Sequence, residues 1–195
     1  ELLRRAKEVI AVELDSELAA KLPAQFPGTA LTVINQDILT FDLRAVPENY
    51  IVVANVPYYI TSKIVKLLTT SANRPRTIVL LVQKEVAERM AAKAGDMSIL
   101  AVSAQVFAKV HLGDIVPAAL FTPPPKVDSQ VVILEMYTEP KVTPEDEKAL
   151  FRVVKAGFSA KRKKLRSSLS SGLHISKPEA EELLKSVQLN PDDRA

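Results

Sequence analysis

Apolar positions along the chain follow two spacings. Residues 8–15, 31–34, 50–54 and 77–82 are short runs apolar at most positions, which predicts strands of a largely parallel sheet. Between them, residues 16–22, 60–68, 83–90 and 98–104 carry apolar side chains at helical spacing, as at Ile60, Ile64, Leu67 and Leu68. Two later stretches, 105–112 and 130–137, alternate more and predict an antiparallel finish to the sheet. The run Tyr50-Ile51-Val52-Val53-Ala54 predicts a strand buried on both faces, and residues 23–28 predict a connection. Near residue 139 the pattern turns fully helical. Thr143-Pro144-Glu145-Asp146 reads as an N-cap, a proline in the first turn and acids facing the dipole. Leu150, Val153, Val154 and Phe158 form the stripe that follows, and Gly172 closes a Ser-rich helix. Ser176-Lys177-Pro178-Glu179 is a capping box whose helix should turn Ala180, Leu183, Leu184 and Val187 inward. An α/β domain over 1–138 and a helical domain over 139–195 are expected.

The polar residues that break these runs fall where strands end. Asn55-Val56-Pro57-Tyr58-Tyr59 links the 50–54 strand to the next helix, the sheet edge at which open α/β folds bind ligands. The Asn55 carboxamide oxygen and the Val56 carbonyl, constrained by Pro57, could accept both hydrogens of an exocyclic amino group. Tyr58 offers a flat face for an extruded base. The plainer alternative is a strand-end turn with a tyrosine pair covering the core. Glu13 could bond ribose hydroxyls from its strand tip or cap the next helix; Asp15 and Ser16 suit the cap well and a glutamate caps poorly, so Glu13 is assigned the ligand role. Asp37 could accept from a ring amino group or be a solvated turn residue. Because Glu13, Asp37 and Asn55 follow successive strands, they are expected to line one sheet edge.

Phe121-Thr122-Pro123-Pro124-Pro125-Lys126-Val127-Asp128-Ser129 contains three consecutive prolines, which impose a stiff path without backbone donors. It could fix Phe121 and Lys126 at the rim of a pocket, or bind a partner. Composition then narrows the chemistry. The 195 residues are 47% hydrophobic and 25% charged, with no cysteine and two histidines, so thiolate catalysis, disulfides and His-rich metal sites are excluded or disfavoured, and no metal is expected. No apolar stretch reaches membrane-spanning length, so a cytoplasmic protein without a membrane partner is expected. Net charge is only +3, but residues 152–166 hold seven Lys or Arg and no acid. Such a run is either an exposed helix face or a phosphate-tracking patch.

Assembled, these motifs resemble the ribosomal RNA adenine N6,N6-dimethyltransferases of the small-subunit type. The resemblance is carried by Val12-Glu13-Leu14-Asp15, Gln36-Asp37-Ile38-Leu39, Asn55-Val56-Pro57-Tyr58-Tyr59, residues 81–86, 121–129 and 156–166, over nearly the whole chain. It implies a class I, Rossmann-like fold that uses S-adenosylmethionine (SAM) to dimethylate two neighbouring adenines near the 3′ end of small-subunit rRNA. By the same resemblance Glu13 holds the SAM ribose, and Asp37 with Ile38 holds its adenine. Asn55 and the backbone before Pro57 orient the target amine, and Tyr58 and Phe121 sandwich the base. Lys126 and the run Lys161, Arg162, Lys163, Lys164 and Arg166 track RNA phosphates of a small-subunit precursor, with the protein acting as a monomer. The family's Gly-rich first motif would lie before Glu1, so the chain reads as a segment of a longer protein with an incomplete cofactor cradle. Two alternatives are a large-subunit methyltransferase of the macrolide-resistance type and a non-catalytic RNA-binding assembly factor.

Overall fold

The computed structural model describes residues 1–139, 141–160 and 162–194. The chain separates into two compact units, residues 1–47 with 71–73, and residues 48–70 with 74–195.

The first unit holds α1 (Leu2–Arg5), β1 (Val9–Glu13), α2 (Ser16–Gln25) and β2 (Leu31–Asn35). β1 and β2 pair in parallel, with Glu13 opposite Asn35. Asp15 caps α2 by accepting from the Glu17 and Leu18 N–H groups at 2.8 and 3.0 Å. Residues 23–25, expected in a connection, instead complete α2 with Pro23 inside it. In a last turn the proline forgoes a single ladder bond, so the cap-nucleated helix runs through it.

The second unit is built on a four-stranded sheet ordered β3 (Ile51–Asn55), β4 (Thr77–Gln83), β6 (Ser129–Met136) and β5 (Ala108–Val116). β3 and β4 are parallel, whereas β6 lies antiparallel between β4 and β5, the expected antiparallel finish. Ile78, Leu80 and Val82 of β4 and Val132 and Leu134 of β6 are fully buried. They pack in one core with Ile64, Val65 and Leu68 of α3 (Thr61–Thr70), Ala87 and Met90 of α4 (Lys84–Met90), and Ala101 and Ala104 of α5 (Ile99–Gln105). Each large side chain so buried stabilises the fold by about 1.5–3 kcal/mol.

β3 departs from expectation: Ile51 and Val53 are 47% and 50% exposed, not buried. Exposure alternates along β3, so the face carrying Ile51, Val53 and Asn55 is open although the whole run is apolar up to Ala54, and the strand is terminal in its sheet. The β1–β2 pair and the sheet that begins at β3 are also separate sheets. Glu13 and Asp37 therefore follow the strands of one sheet, and Asn55 follows a strand of the other.

The chain ends in α6 (Pro144–Phe158), α7 (Leu165–Leu173) and α8 (Lys177–Ser186). Ala156, Leu169, Ala180 and Leu184 make their core, with Leu165, Leu173 and Ile175 packed against it. Phe151 of α6 stacks on Phe107 at 6.4 Å between ring centroids, joining these helices to the sheet. Both caps form as expected: Thr143 accepts from the Asp146 N–H, and Ser176 and Glu179 make a reciprocal capping box. Gly172, however, lies inside α7, which His174 closes in the left-handed region at φ 59°. Its reason is proximity: a Cβ there would stand 2.5 Å from the Cα of Ala156. Leu183 and Val187, expected inward, are 54% and 62% exposed, and Val153 is 48% exposed. Gly172 lets α7 approach α6 at Ala156, and the interior is filled by Ala156, Leu169 and the expected Ala180 and Leu184, while Val153, Leu183 and Val187 lie on the outer sides of their helices.

Candidate active site

At the C-terminal edge of the β1–β2 pair, side chains lace the strand ends together. Asn35 Nδ2 donates to the Glu13 and Leu14 carbonyls at 2.9 and 3.0 Å, and the Gln36 N–H donates to the Glu13 carbonyl at 3.0 Å. The half-buried Glu13 accepts the Asp15 N–H on Oε1 at 2.8 Å, and the half-buried Asp37 accepts the Leu39 N–H on Oδ1 at 2.9 Å. Each carboxylate thereby has its orientation set through one oxygen. Among the described residues the other oxygen of each has no partner, nor has the Ile38 N–H. Two aligned acceptors and a backbone donor suit a ligand with hydroxyl and amino groups, such as a nucleoside. Glu13 does not cap α2; Asp15 does.

In the second unit, Asn55 ends β3 opposite Leu81, and the Val56 N–H donates to the Leu81 carbonyl at 3.4 Å. Val56 is buried and anchors the loop, while Asn55 is exposed and its carboxamide has no partner among the described residues. Pro57 leads into a 3-10 turn, Tyr58–Ile60, that continues into α3. The two tyrosines differ sharply. Tyr59 is 84% exposed, whereas Tyr58 is half-buried and its hydroxyl shares a hydrogen bond of 2.9 Å with Ser129 Oγ. Ser129 is itself buried at the start of β6. Burial pushes the hydroxyl of Tyr50, just before β3, up to about 12, so it stays neutral at physiological pH.

The proline-rich segment is held at both ends. Asp128 Oδ1 accepts the Ala118 N–H at 2.9 Å, the Asp128 carbonyl accepts the Lys84 N–H at 3.0 Å, and the Phe121 N–H donates to the Ala118 carbonyl at 3.1 Å. The Thr122–Pro123 peptide is cis. Phe121 is half-buried and Lys126 exposed. An open cavity of about 420 Å³, lined by Lys84, Glu85, Glu88, Lys126 and Asp128 among others, lies between this segment and α4. The structure thus brings the Asn55–Tyr58 loop and the proline-rich segment together through Tyr58 and Ser129. Sequence reasoning gave no role to Ser129, Asp128 or Lys84; the signal was Ser129 closing the same short motif as Phe121.

The basic run divides in two. Lys164 pairs with Asp192 at 3.1 Å, and Arg166 pairs with Glu181 at 2.9 Å and Asp192 at 3.0 Å. The Leu165 and Arg166 N–H groups donate to the Asp193 and Pro191 carbonyls, so residues 191–193 cover the start of α7. Arg162 and Lys163 are exposed and have no side-chain partner among the described residues, and Lys161 lies outside them. Among the described residues no cluster of three or more His, Cys, Asp or Glu could hold a metal ion, and no helix is long and apolar enough to cross a membrane.

Residues 1–194 match the model of a family described as ribosomal RNA adenine dimethylase. The ribosomal RNA small subunit methyltransferase A of Dehalococcoides mccartyi strain CBDB1 is 38% identical over 203 residues, covering 100% of this chain and 68% of that protein. Its counterpart in Geobacillus thermodenitrificans strain NG80-2 is 37% identical over 207 residues, covering 100% of this chain and 71% of its own length. Among solved structures, a dimethyladenosine transferase from Plasmodium falciparum superposes with a TM-score of 0.80 at 27% identity, over 99% of this chain and 78% of that one. The 23S rRNA methyltransferase ErmE gives 0.75 at 26% identity, over 98% and 77%.

Proposed function

The chain belongs to the ribosomal RNA adenine dimethylase family, and from that premise we propose that it transfers methyl groups from SAM to the exocyclic amines of two neighbouring adenines near the 3′ end of small-subunit rRNA. The observation that carries the reading is the loop after β3, where Asn55 presents a free carboxamide beside a tyrosine whose hydroxyl is pinned. Its fold is the Rossmann-like class I methyltransferase fold of its structural neighbours. Identity of 37–39% to the small-subunit relatives favours that target over the large-subunit one.

Glu13, through its unshared oxygen, accepts from the ribose hydroxyls of SAM, and Asp37 with the Ile38 N–H holds the adenine ring. When bound, SAM supplies a methyl group on a positively charged sulfonium, already activated for displacement. The protein's own work is positioning. The Asn55 oxygen and the Val56 carbonyl accept the hydrogens of the target amine and leave its lone pair free to attack. Tyr58 stacks on the flipped base and Phe121 closes on its other face. The methylated amine is strongly acidic and gives up one proton to water as the sulfonium leaves as a neutral thioether, so no strong base is needed, which accounts for a site without histidine or cysteine. Lys126, Arg162 and Lys163 contact RNA phosphates, with residues 139–195 acting as the helical RNA-binding domain. Lys164 and Arg166 join them only by exchanging carboxylate partners. We further propose that the protein acts as a monomer in the cytoplasm, where immature small subunits are found.

Labelled-methyl transfer to immature small subunits tests this. Asn55→Ala in the full-length protein should abolish transfer while leaving RNA binding nearly intact. Equal loss of both would make the loop a structural turn, and a wild-type protein that leaves the adenines unmethylated would remove the enzyme reading.

A further inference from the structure

Resting on the function proposed above, we propose that Ser129 is a positioning residue that sets the attitude of the Tyr58 ring against the target base. Ser129 is 1% exposed and is held on both sides, opposite Gln83 of β4 and Val116 of β5. It is therefore among the most rigidly placed hydroxyls in the second unit. Its bond of 2.9 Å goes not to a backbone carbonyl but to the hydroxyl of a half-buried tyrosine 71 residues earlier.

A tyrosine needed only to cover the core could be a phenylalanine. Here the hydroxyl ties the ring tip to a fixed strand, which holds the ring axis in one direction by restricting χ1, and the in-plane geometry of a phenol hydrogen bond then favours one ring orientation about that axis. The same strand start reaches the second aromatic. Asp128, next to Ser129, holds the Ala118 N–H at 2.9 Å, and the Ala118 carbonyl holds the Phe121 N–H at 3.1 Å. The Asp128 carbonyl is itself fixed by the Lys84 N–H at 3.0 Å. One rigid point, the start of β6, thus fixes the ring of Tyr58 and the backbone of Phe121 together. It determines the slot into which a flat base fits. Ser129 touches neither base nor cofactor in this account; it acts through Tyr58.

The test compares Ser129→Ala, Ser129→Thr, Tyr58→Phe and the double variant S129A/Y58F in the full-length protein, with SAM and immature small subunits. Each single loss of the bond should lower kcat about 3- to 10-fold, as expected for one part-buried hydrogen bond, while KM for the RNA stays unchanged. The double variant should fall no further than either single one, because both remove the same contact. Ser129→Thr should restore kcat, and 2-aminopurine at the target position should be less quenched in S129A than in wild type. Additive losses, an unchanged kcat in S129A, or a fall seen only as a lower unfolding midpoint would overturn the proposal. If S129A fails to fold, Tyr58→Phe decides alone: it removes the bond without altering the buried position, and a wild-type kcat overturns the idea. A wild-type protein without methyl transfer defeats the parent reading as well, whereas an active wild type with an unaffected S129A defeats only this one.

Discussion

At Glu13 and Asp37 one oxygen of each carboxylate is taken by a nearby backbone N–H, which leaves the other oxygen oriented and unshared. Such a group loses little freedom on binding, so its loss should appear mainly in affinity. Glu13→Ala or Asp37→Ala should weaken SAM binding about 10- to 100-fold, the range for a hydrogen bond to a charged group. Calorimetric titration measures this, and an unchanged Kd for either variant would remove that residue from the site. The capping role of Asp15 was legible in the sequence, because an aspartate just before the first helical residue suits an N-cap and a glutamate does not. Which carboxylate oxygens of Glu13 and Asp37 stay unshared was not, since that depends on backbone geometry that residue type alone does not specify.

Among elements, the three C-terminal helices show most clearly what spacing can and cannot predict. The caps at Thr143 and Ser176 could be read directly, because a capping box is a local pattern. The inward face of α8 could be read only in part: Ala180 and Leu184 are buried as expected, whereas Leu183 and Val187 stay exposed, and the close approach of α6 and α7 at Gly172 and Ala156 carries no periodic signal at all. Gly172→Ala would place a methyl carbon 2.5 Å from Ala156. It should destabilise the protein by about 1–3 kcal/mol, the usual cost of overpacking. A urea midpoint equal to wild type would show that the helices shift without cost. The Glu179 carboxylate is held below its ordinary range by its hydrogen bonds with Ser176. A depressed pKa contributes stability that is present above the unfolded value and is lost as pH falls through the folded one. The first turn of α8 should therefore fray as pH drops below the ordinary carboxylate range, which amide exchange at residues 177–180 would detect. Glu179→Gln should blunt that dependence.

For the molecule as a whole, charge placement matters more than its net value of +3. Removing Arg162 or Lys163 should flatten the slope of log affinity for RNA against log salt by about 0.7–0.9 per residue. Arg166→Ala should instead lower the unfolding midpoint and leave the slope less changed, because Glu181 and Asp192 already hold that side chain. Filter binding across a salt series separates the two outcomes. The α/β class and its antiparallel finish were legible, because strand and helix periods differ and alternate cleanly along the chain. Pairing was less so: the apolar run of β3 reads as central, yet the strand is terminal in its sheet with Ile51 and Val53 in the open. Periodicity reports which faces are apolar, not which neighbours cover them.

The bond between Tyr58 and Ser129 also sets an order of events in synthesis. On the proposed reading Asn55, Val56 and Tyr58 are made first, Phe121 follows much later, and the anchor of Tyr58 comes 71 residues after it, on the strand that inserts between β4 and β5. A growing chain therefore holds the loop untethered until β6 has docked, and long-range pairing of this kind is a slow step of folding. The capacity to hold a nucleobase is then a property of the finished sheet, acquired at the end of folding rather than when the loop itself forms.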